Sequence, residues 1–392
     1  MLNLQNIKVN IFNTNIADII LNISMFETIK GNVRGSMTVQ DHINFMDTFI
    51  TTTHIPIEIH WQYQGRFWTN KFYSDGIEKM EISKLGKKYV IHFISYTTMN
   101  AQTKRINDTY SGRGDEILVN IFKETNSSFK IAPFLRDSRS INKGKYVVPN
   151  IKAHTALNNV VNSCYDKHKS ALLLYQRVCD EGATRLTSLY DMDKREFELY
   201  SYTGVNVTKK IFTLKASLTG ADEESDGISS SSQIGTVNKF VMDEFNMNFT
   251  QKLAQGFYGN KVQHIELDKT STKTYPIAEL NDIPVTSYKL QNNLYDDNVK
   301  SIFSMLCEPE SHAMNNQKMR VFNQRMSAMN TVAIPGLGVG CSIKTDSGGS
   351  NISKSKTDTK YIIANINHRF TKQDGEFQYS QDISLIRDGT TG

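Results

Sequence analysis

Strict alternation of apolar and polar residues over positions 55–63 constrains the fold of this chain more than any other feature. The residues in order are Ile55, Pro56, Ile57, Glu58, Ile59, His60, Trp61, Gln62 and Tyr63. Successive side chains of a β-strand point to opposite faces, so this period of two indicates a half-buried strand with one wet face. The odd face carries the isoleucines, and Trp61 is therefore expected in the core.

Turn-forming residues predict that this strand continues into hairpins. Gln64-Gly65, Ser74-Asp75-Gly76 and residues 84–87 each contain a glycine, which tolerates the positive φ of tight turns. Strands are predicted between the turns, at 66–73 and 89–96. Three hairpin-linked strands imply a meander that closes into a sandwich or barrel.

The residues that precede this meander also indicate β structure. Strands are expected at 6–12, 18–26 and 35–39. Asp41 is placed to cap a short helical turn over residues 45–49.

Residues 104–208 have a different character and predict a small α+β domain. Apolar residues recur at helical spacing over 115–125 and 155–164, and Asp115 and Glu116 stand near the positive end of the first helix dipole. Strands are expected at 145–148, 171–176 and 197–202.

A polar, serine-rich stretch at 221–232 predicts a surface loop or linker, after which β structure resumes. Gln373-Asp374-Gly375-Glu376 predicts a hairpin turn. Met319, Phe322, Met326 and Met329 recur at helical spacing and predict one helix. Strands are expected at 235–249, 261–267, 332–344, 360–370 and 377–387.

The chain is therefore predicted to have a β-rich α+β fold with two related β-barrel domains, a small α+β middle domain and a helix-containing insertion. The similar succession of strands and hairpins in the two β regions suggests a duplication, with Gly76 and Gly375 at corresponding hairpin turns. No residue-level repeat of fixed period accompanies it. The boundaries are 1–103 for the first barrel, 104–208 for the middle domain, 209–270 and 331–392 for the second barrel, and 271–330 for the insertion.

Composition excludes several classes of protein. The chain has 392 residues, 39% of them hydrophobic, which is enough apolar mass for packed cores. The apolar run at 16–25 is interrupted by polar residues, so no segment approaches the ~20 apolar residues of a membrane span. The first residues show no secretory signal. A net charge of +5 is too mild to indicate a nucleic-acid binder.

Four cysteines, at positions 164, 179, 307 and 341, form no C-x-x-C pair. Their spacing predicts neither a disulfide framework nor a zinc site, and favours free, mostly buried thiols made in a reducing cytoplasm.

Histidines and carboxylates supply few candidates for chemistry. His54 and His60 are six residues apart on one strand, ~20 Å, which is too far for one metal ion. His264 and Glu266 share one strand face at i, i+2, but no third metal ligand is adjacent.

Two glycine-containing motifs also favour structural roles. The glycines of residues 336–340 precede a predicted strand rather than a helix, so they are expected to be turn glycines and not a phosphate loop. Arg113-Gly114-Asp115 is expected to lead into a helix N-terminus. No hydrolase motif is present, so the sequence predicts no catalytic, cofactor-binding or metal-binding residues and no cofactor. A large β-rich chain without such motifs is more often an assembly component than an enzyme.

Four segments resemble, in order, the baseplate central hub proteins of contractile phage tails, which are related to hub domains of type VI secretion spike proteins. Residues 25–41, MFETIKGNVRGSMTVQD, are similar to the opening strand pair of that family. Residues 155–164, TALNNVVNSC, resemble the helix of its middle domain. Residues 333–343, AIPGLGVGCSI, and 361–370, YIIANINHRF, are similar to its closing strands.

The resemblance implies two tube-like barrels per chain and a homotrimer that joins a threefold central spike to the sixfold tail tube. Implied partners are a separate central spike protein, the tail tube protein and other baseplate proteins, with DNA passing through the channel without sequence-specific binding. The expected location is the tail baseplate of the virion, assembled in the host cytoplasm, and the expected role is structural and not enzymatic.

Two alternatives stay open on the sequence alone. A carbohydrate- or receptor-binding β protein of the virion could stack sugars on Trp61, Trp68 and tyrosines, although the apolar face of Trp61 favours a core position. A peptidoglycan hydrolase is disfavoured by the missing motifs.

Overall fold

A computed structural model describes the greater part of the chain. The described residues are 6–42, 44–48, 54–63, 66–83, 86–126, 134–168, 170–194, 197–200, 207–210, 212–216, 236–237, 239–244, 260–266, 271–276, 285–291, 324–334, 336–346 and 360–387.

The described elements are mainly strands. The α-helices are α1 (Tyr96–Thr103), α2 (Gly114–Asn126), α3 (Ala153–Asn162) and α4 (Leu189–Lys194). The strands are β1 (Asn6–Ile11), β2 (Thr14–Asn15), β3 (Ile20–Thr28), β4 (Arg34–Asp41), β5 (Pro56–Tyr63), β6 (Arg66–Ser83), β7 (Gly86–Ser95), β8 (Arg105–Arg113), β9 (Phe134–Arg136), β10 (Lys143–Lys152), β11 (Leu172–Gln176), β12 (Thr184–Ser188), β13 (Phe197–Tyr200), β14 (Val207–Lys210), β15 (Phe212–Ala216), β16 (Thr236–Val237), β17 (Lys239–Glu244), β18 (Asn260–Glu266), β19 (Ser271–Pro276), β20 (Val285–Gln291), β21 (Gln324–Val332), β22 (Ser342–Asp346), β23 (Lys360–Gln373) and β24 (Glu376–Arg387). In the described part of the chain, no helix is long and apolar enough to cross a membrane.

The first seven strands form one antiparallel unit, which we call unit 1, in the order β2-β1-β5-β6-β7-β4-β3. The alternation at 55–63 does form a strand, β5, and its odd face is buried. Trp61 stacks on Trp68 of β6 with ring centroids 5.8 Å apart, and both side chains are 3% exposed. The prediction that Trp61 belongs to the core is confirmed.

The hairpin turn predicted at Ser74-Asp75-Gly76 is wrong. β6 runs without interruption through these residues, and Ser74 and Gly76 pair with Phe93 and His92 of β7. Asp75 is the extra residue of a β-bulge, which bends and twists the strand without ending it. The three turn-forming residues bend the strand instead of reversing it, because residues on both sides of them have ladder partners. Gly76 therefore does not correspond to Gly375, which does lie in a hairpin turn with φ +86°.

The last seven strands of the main sheet form a second unit, unit 2, in the order β16-β15-β22-β23-β24-β21-β17. Taken in chain order within each unit, this is the same order of strands as in unit 1. Two pairings differ in direction: β15 runs parallel to β16 and β22, whereas β1 runs antiparallel to β2 and β5. In the described residues no ladder closes either unit into a barrel.

The helix predicted from Met319 to Met329 is wrong from Gln324 onward. Residues 324–332 form β21, which pairs with β17 on one side and β24 on the other. Strand partners on both edges outweigh a helical spacing of methionines, because local propensity is a weak preference that tertiary pairing overrides. Met319 and Phe322 lie outside the described residues. The strand predicted at 332–344 is confirmed only from Ser342, where β22 begins.

The part of the chain from 96 to 210, which we call the middle region, contains helices α1 to α4 and three small sheets, β8-β10, β9-β12-β11 and β13-β14. The predicted helices correspond to α2 and α3, whose apolar sides share a core with β10 and β11. The sequence does not predict helix α1, and the strand predicted at 89–96 overlaps only its first residue, Tyr96. A separate three-stranded sheet, β19-β18-β20, occupies 260–291.

The capping role predicted for Asp41 is confirmed. Its Oδ1 accepts a hydrogen bond from the Phe45 amide at 3.1 Å, and its Oδ2 accepts one from Met46 at 2.8 Å. A short 3₁₀ turn, Met46–Thr48, follows. Within that turn, Asp47 Oδ1 accepts a hydrogen bond from the buried Tyr89 hydroxyl at 2.8 Å.

This Tyr89 hydroxyl should make the fold sensitive to alkali. Burial, with the hydrogen bond to Asp47, raises the pKa of Tyr89 from its usual 10.0 to about 12. The folded state thus favours the neutral phenol over the phenolate. This preference stabilises the fold fully below pH 10, and the stabilisation is lost as the pH rises through about 12. We expect the denaturant midpoint to fall less steeply between these pH values in Tyr89→Phe than in the wild type. Equal slopes would contradict the assignment.

Candidate functional site

The two units join into one continuous antiparallel sheet through β3 and β23. Seven consecutive residue pairs link them, from Asn22 opposite Thr371 to Thr28 opposite Asn365. The result is an eight-stranded sheet in the order β17-β21-β24-β23-β3-β4-β7-β6, and every pairing in it is antiparallel. These eight strands are part of the 14-stranded main sheet, to which both units contribute.

One side of the eight-stranded sheet is polar, and we call it the polar face. More than half of the residues on this face with described side chains are Asn, Ser, Thr or Gln. The residues of the polar face include Asn22, Ser24, Phe26, Thr28, Arg34, Ser36, Thr38, Gln40, Glu78, Lys88, Val90, His92, Ile94, Ser327, Asn365, Asn367, Arg369, Thr371, Gln373, Glu376, Gln378, Ser380, Asp382 and Ser384.

Short polar side chains bind each other across the strands of the polar face. Ser24 Oγ donates to Asn367 Oδ1 at 2.6 Å, and Thr38 Oγ1 donates to Asn22 Oδ1 at 3.0 Å. The few charges are mixed in sign: Arg369 forms an ion pair with Asp382, and His92 Nε2 lies 3.5 Å from Glu78. Such a surface is hydrated and carries no strong field of either sign.

The other side of the sheet holds a buried polar cluster, which we call the junction. At its centre is Glu27 of β3, which is fully buried. Its Oε2 accepts a hydrogen bond from the Val178 amide at 2.6 Å, and its Oε1 accepts one from the Val339 amide at 2.9 Å. One carboxylate thus joins unit 1, the middle region and the segment that leads into β22.

Arg177 crosses the junction beside Glu27. Its Nε donates to the Val339 carbonyl at 2.8 Å, and its Nη2 lies 3.0 Å from Cys341 Sγ. Asp180 Oδ2 also lies 3.9 Å from Nε. The guanidinium therefore has a carbonyl oxygen, a sulfur and a carboxylate around it. A buried arginine in such a setting fixes the relative positions of the chain segments that it bridges.

The glycines of residues 336–340 follow from this packing. A Cβ on Gly338 would lie 2.7 Å from Arg177 Cδ, and one on Gly340 would lie 2.6 Å from the Tyr175 hydroxyl. Gly340 also has a φ of +74°, which favours glycine. The prediction that these are turn glycines before a strand is confirmed, and β22 begins two residues after Gly340.

Polar residues of the β23–β24 hairpin complete the junction. His368 Nδ1 lies 2.6 Å from the Tyr379 hydroxyl, and His368 Nε2 lies 3.6 Å from Glu27 Oε1. Gln381 interrupts the apolar alternation of β24, and the structure gives the reason: its Oε1 accepts a hydrogen bond from the buried Ile334 amide at 2.9 Å. In the sequence, the only sign of this contact is a polar residue, Gln381, among apolar positions of the predicted strand.

A second buried amide, Gln176, fastens the middle region to unit 1. Its Oε1 accepts hydrogen bonds from the Ser95 hydroxyl at 2.6 Å and the Val33 amide at 3.3 Å. Its Nε2 donates to Thr97 of α1. Beside it is a cavity of about 110 Å³ between the Lys30–Asn32 turn and the helices of the middle region. Burial, and then the charge of Lys152, lower the pKa of His154 in its lining, so the imidazole there is neutral near pH 7.

The candidate residues of the sequence do not come together. His54 is exposed, and His60 pairs with Thr69 and Glu58 on the wet face of β5. Asp115 of the Arg-Gly-Asp tripeptide is fully buried and accepts hydrogen bonds from Arg136 and the Ser140 amide. His264 and Glu266 lie on β18, at i, i+2 as expected. In the described residues, no three His, Cys, Asp or Glu side chains are grouped as metal ligands.

The cysteines whose side chains are described, at positions 164, 179 and 341, are free thiols. Two of them, Cys164 and Cys341, are buried. Cys307 lies outside the described residues.

The fold is that of phage tail proteins, which confirms the family resemblance of the sequence at the level of the fold. A tail protein from Neisseria meningitidis aligns over 98% of this chain and 96% of its own length, with a TM-score of 0.59 and 11% identity. The 43 kDa tail protein of prophage MuSo2 from Shewanella oneidensis aligns over 97% and 98%, with a TM-score of 0.57 and 12% identity.

A third similar structure comes from Francisella. A chain of the Francisella PdpA-VgrG complex aligns over 99% of this chain but 59% of its own length, with a TM-score of 0.52 and 13% identity. No protein-family model matches this sequence, and no curated protein matches it either.

Proposed function

We propose that this protein is the central hub of a contractile phage tail baseplate. In this proposal three copies form a ring that joins a threefold spike to a sixfold tail tube. The role is that of a structural adaptor in the virion, and the parts that act are surfaces and not a catalytic centre. Each unit, with its adjoining residues, serves as one tube-like barrel domain.

The observation that carries this proposal is the repeated strand order in one chain. A threefold ring meets a sixfold tube without mismatch only if each chain offers two similar surfaces. Units 1 and 2 have the same order of seven strands and share one continuous sheet. Three chains therefore offer six similar units, and one chain of the ring covers two positions of the tube.

The polar face supports a passage for the genome. Tight DNA binding requires many lysine or arginine contacts to phosphate, each of which releases counterions. The described side chains of the polar face carry only Arg34, Lys88 and Arg369 as fixed positive charges, against Glu78, Glu376 and Asp382. A wall of short neutral side chains lets DNA pass without holding it and without reading its sequence.

The expected partners are a separate central spike protein, the tail tube protein and other baseplate proteins. The similarity of this fold to a chain of the Francisella PdpA-VgrG complex supports a role within a multi-protein assembly.

The two tryptophans give no support to the carbohydrate-binding alternative. The side chains of Trp61 and Trp68 are each 3% exposed, stack on one another and contact the core, so neither ring offers a free face to a sugar. The hydrolase alternative gains no support from the polar residues of the junction. Their hydrogen bonds join strands and loops of the fold.

Native mass spectrometry of the purified chain tests the hub proposal. We expect a species of about 134 kDa, three times the 44.5 kDa chain. Addition of the tail tube protein should give a complex that retains three hub chains. A stable monomer at micromolar concentration, or a ring of six identical chains, would overturn the proposal.

A further inference from the structure

We propose that the outer face of the two-stranded ribbon β8-β10 binds an extended acidic segment of another protein. We call this surface the basic ribbon face. The inference rests on the proposed function for the kind of partner, which is one of the other baseplate proteins. The ribbon belongs to the middle region, which joins the main sheet through Glu27 on the side opposite the polar face. The basic ribbon face is therefore separate from the proposed passage for DNA.

Strand alternation separates the apolar from the charged residues of the ribbon. Tyr110 and Tyr146 form a cross-strand pair, and both are buried in the core shared with α2 and α3. Their neighbours along each strand point to the opposite side, which is the outer face. The next pair of the ladder, Lys145 with Ser111, lies on that face, and both residues are exposed.

Every lysine and arginine of the two strands lies on the outer face. They are Lys143, Lys145, Lys152, Arg105 and Arg113. The one carboxylate of the ribbon, Asp108, pairs with the buried Val148 and so belongs to the other side. Residues 104–152 hold ten Lys or Arg against five Asp or Glu, a net charge of +5 that equals the net charge of the whole chain. The positive charge of the chain is thus concentrated around this ribbon.

Two pairs of like charges face each other across the ribbon. Lys143 is opposite Arg113, and Lys152 is opposite Arg105. Like charges directly opposite in a ladder destabilise it. Glu116 offsets the first pair through an ion pair with Arg113 at 2.9 Å. Among the described residues no carboxylate does the same for the second pair, and Arg105 Nη1 donates to a backbone carbonyl at 2.8 Å. An anionic ligand would relieve the remaining repulsion.

The spacing of the cations favours an extended segment. Lys145 and Lys152 are seven positions apart on β10, which is roughly 20 Å along a strand. Between them the outer face carries the short side chains of Val147 and Thr109, which leave room for a peptide backbone. An extended chain reaches both groups of cations with about seven residues. Its carboxylates would form charge-assisted hydrogen bonds with the ammonium and guanidinium groups.

Two other occupants fit the basic ribbon face less well. A second copy of this chain would bring an identical ribbon of the same charge, and lysines on open strands discourage such self-pairing. Proteins that bind single-stranded nucleic acid offer aromatic side chains to the bases, whereas the described residues of the basic ribbon face include none. An acidic protein segment is attracted by the cations and needs no stacking partner.

Fluorescence anisotropy with a labelled peptide tests this surface in the full chain. The probe is (Glu-Ser)₅, which presents its carboxylates on one side when it is extended. We expect binding at about 50 mM salt that weakens about tenfold at about 200 mM, because exposed charges are screened. The shorter (Glu-Ser)₂ cannot reach both groups of cations and should bind at least tenfold more weakly. Equal affinities of the two peptides would contradict the extended mode of binding.

Charge reversal with a matched control locates the binding surface. Lys143→Glu/Lys145→Glu should weaken the binding of (Glu-Ser)₅ at least tenfold. Lys8→Glu/Lys71→Glu makes the same change in net charge at exposed lysines of unit 1, and should leave the affinity within about twofold of the wild type. Equal losses in the two variants would show attraction by net charge alone and overturn the assignment to the ribbon.

Three outcomes separate this inference from the alternatives and from the hub proposal. A labelled DNA duplex of about 20 base pairs that binds more tightly than (Glu-Ser)₅, and that depends on Lys143 and Lys145, would overturn the acidic partner. A trimer by native mass that does not bind (Glu-Ser)₅ would overturn the basic ribbon face and leave the hub proposal intact. A monomer that binds the peptide in the expected pattern would uphold this face and overturn the ring of three.

Discussion

The Glu27→Ala variant is expected to unfold at a much lower denaturant concentration than the wild type. Removal of the carboxylate leaves the buried amides of Val178 and Val339 without their acceptor. Each unsatisfied buried donor costs about 1–3 kcal/mol, so the expected loss in the free energy of unfolding for two donors is about 2–6 kcal/mol. The measurement is equilibrium denaturation at a fixed protein concentration, because assembly would also shift the midpoint.

Two further substitutions make this test specific. Glu27→Gln keeps one oxygen acceptor but turns an NH₂ group toward the second amide, and about half of the loss is expected. Glu78→Gln removes a carboxylate whose side chain is 71% exposed on the polar face, and should change stability by less than about 0.5 kcal/mol. Equal midpoints for Glu27→Ala and Glu78→Gln would show that the junction does not hold the units together.

Strands and helices with strong local periodicity could be predicted from the sequence. The alternation around Ile59 gives β5, and the turn at Asp374-Gly375 gives the β23–β24 hairpin. The apolar sides of α2 and α3 likewise repeat at helical spacing. In each case the residues that determine the element are neighbours in sequence, so the pattern is visible without the fold.

Elements that depend on distant partners could not be predicted in this way. Helix α1 lacks an apolar side, and its buried residues include Thr97, Thr98 and Asn100, which are stabilised by polar contacts such as the one from Thr98 to Ser95. The methionine spacing of β21 predicts a helix because that spacing is local. The residues that pair with β21 lie 81–90 positions before their partners and 48–63 positions after them.

The junction was invisible for the same reason. Glu27 is a single carboxylate at the end of a predicted strand, and its partners Val178 and Val339 are 151 and 312 residues away. Backbone amides leave no trace in the residue pattern. Only Gln381 offered a local clue, as a polar residue among the apolar positions of β24. The resemblance to hub proteins rests on several weak motifs that occur in the same order along the chain. Because these motifs come from distant parts of the sequence, their order carries information that no single local pattern contains.

A Gly35→Ala variant is expected to lose the contact between β3 and β4. A Cβ at this position would lie 2.2 Å from the Ser24 carbonyl oxygen and 2.6 Å from two ring atoms of Phe93. The oxygen belongs to a backbone that is fixed by the ladder on both edges of β3, so it cannot move aside like a flexible side chain. Overpacking of this kind costs about 3 kcal/mol or more.

The same substitution at Gly76 is the control for Gly35→Ala. No heavy atom lies within 4 Å of a Cβ at Gly76, and its φ is not in the positive range. Gly76→Ala should therefore be neutral or slightly stabilising, because alanine restricts the unfolded chain. Thermal unfolding of both variants measures the difference, and equal melting temperatures would contradict the predicted clash at Gly35.

A second-site change separates the two causes of the Gly35 effect. Phe93→Leu removes the ring atoms near the new methyl group but leaves the Ser24 oxygen in place, so Gly35→Ala/Phe93→Leu should recover only part of the loss. The functional consequence follows from the sheet order. β3 is the strand of unit 1 that pairs with β23, so its displacement by Gly35→Ala separates the two units within one chain. If six similar units form the ring, trimer assembly should fail in this variant even where the middle region still folds.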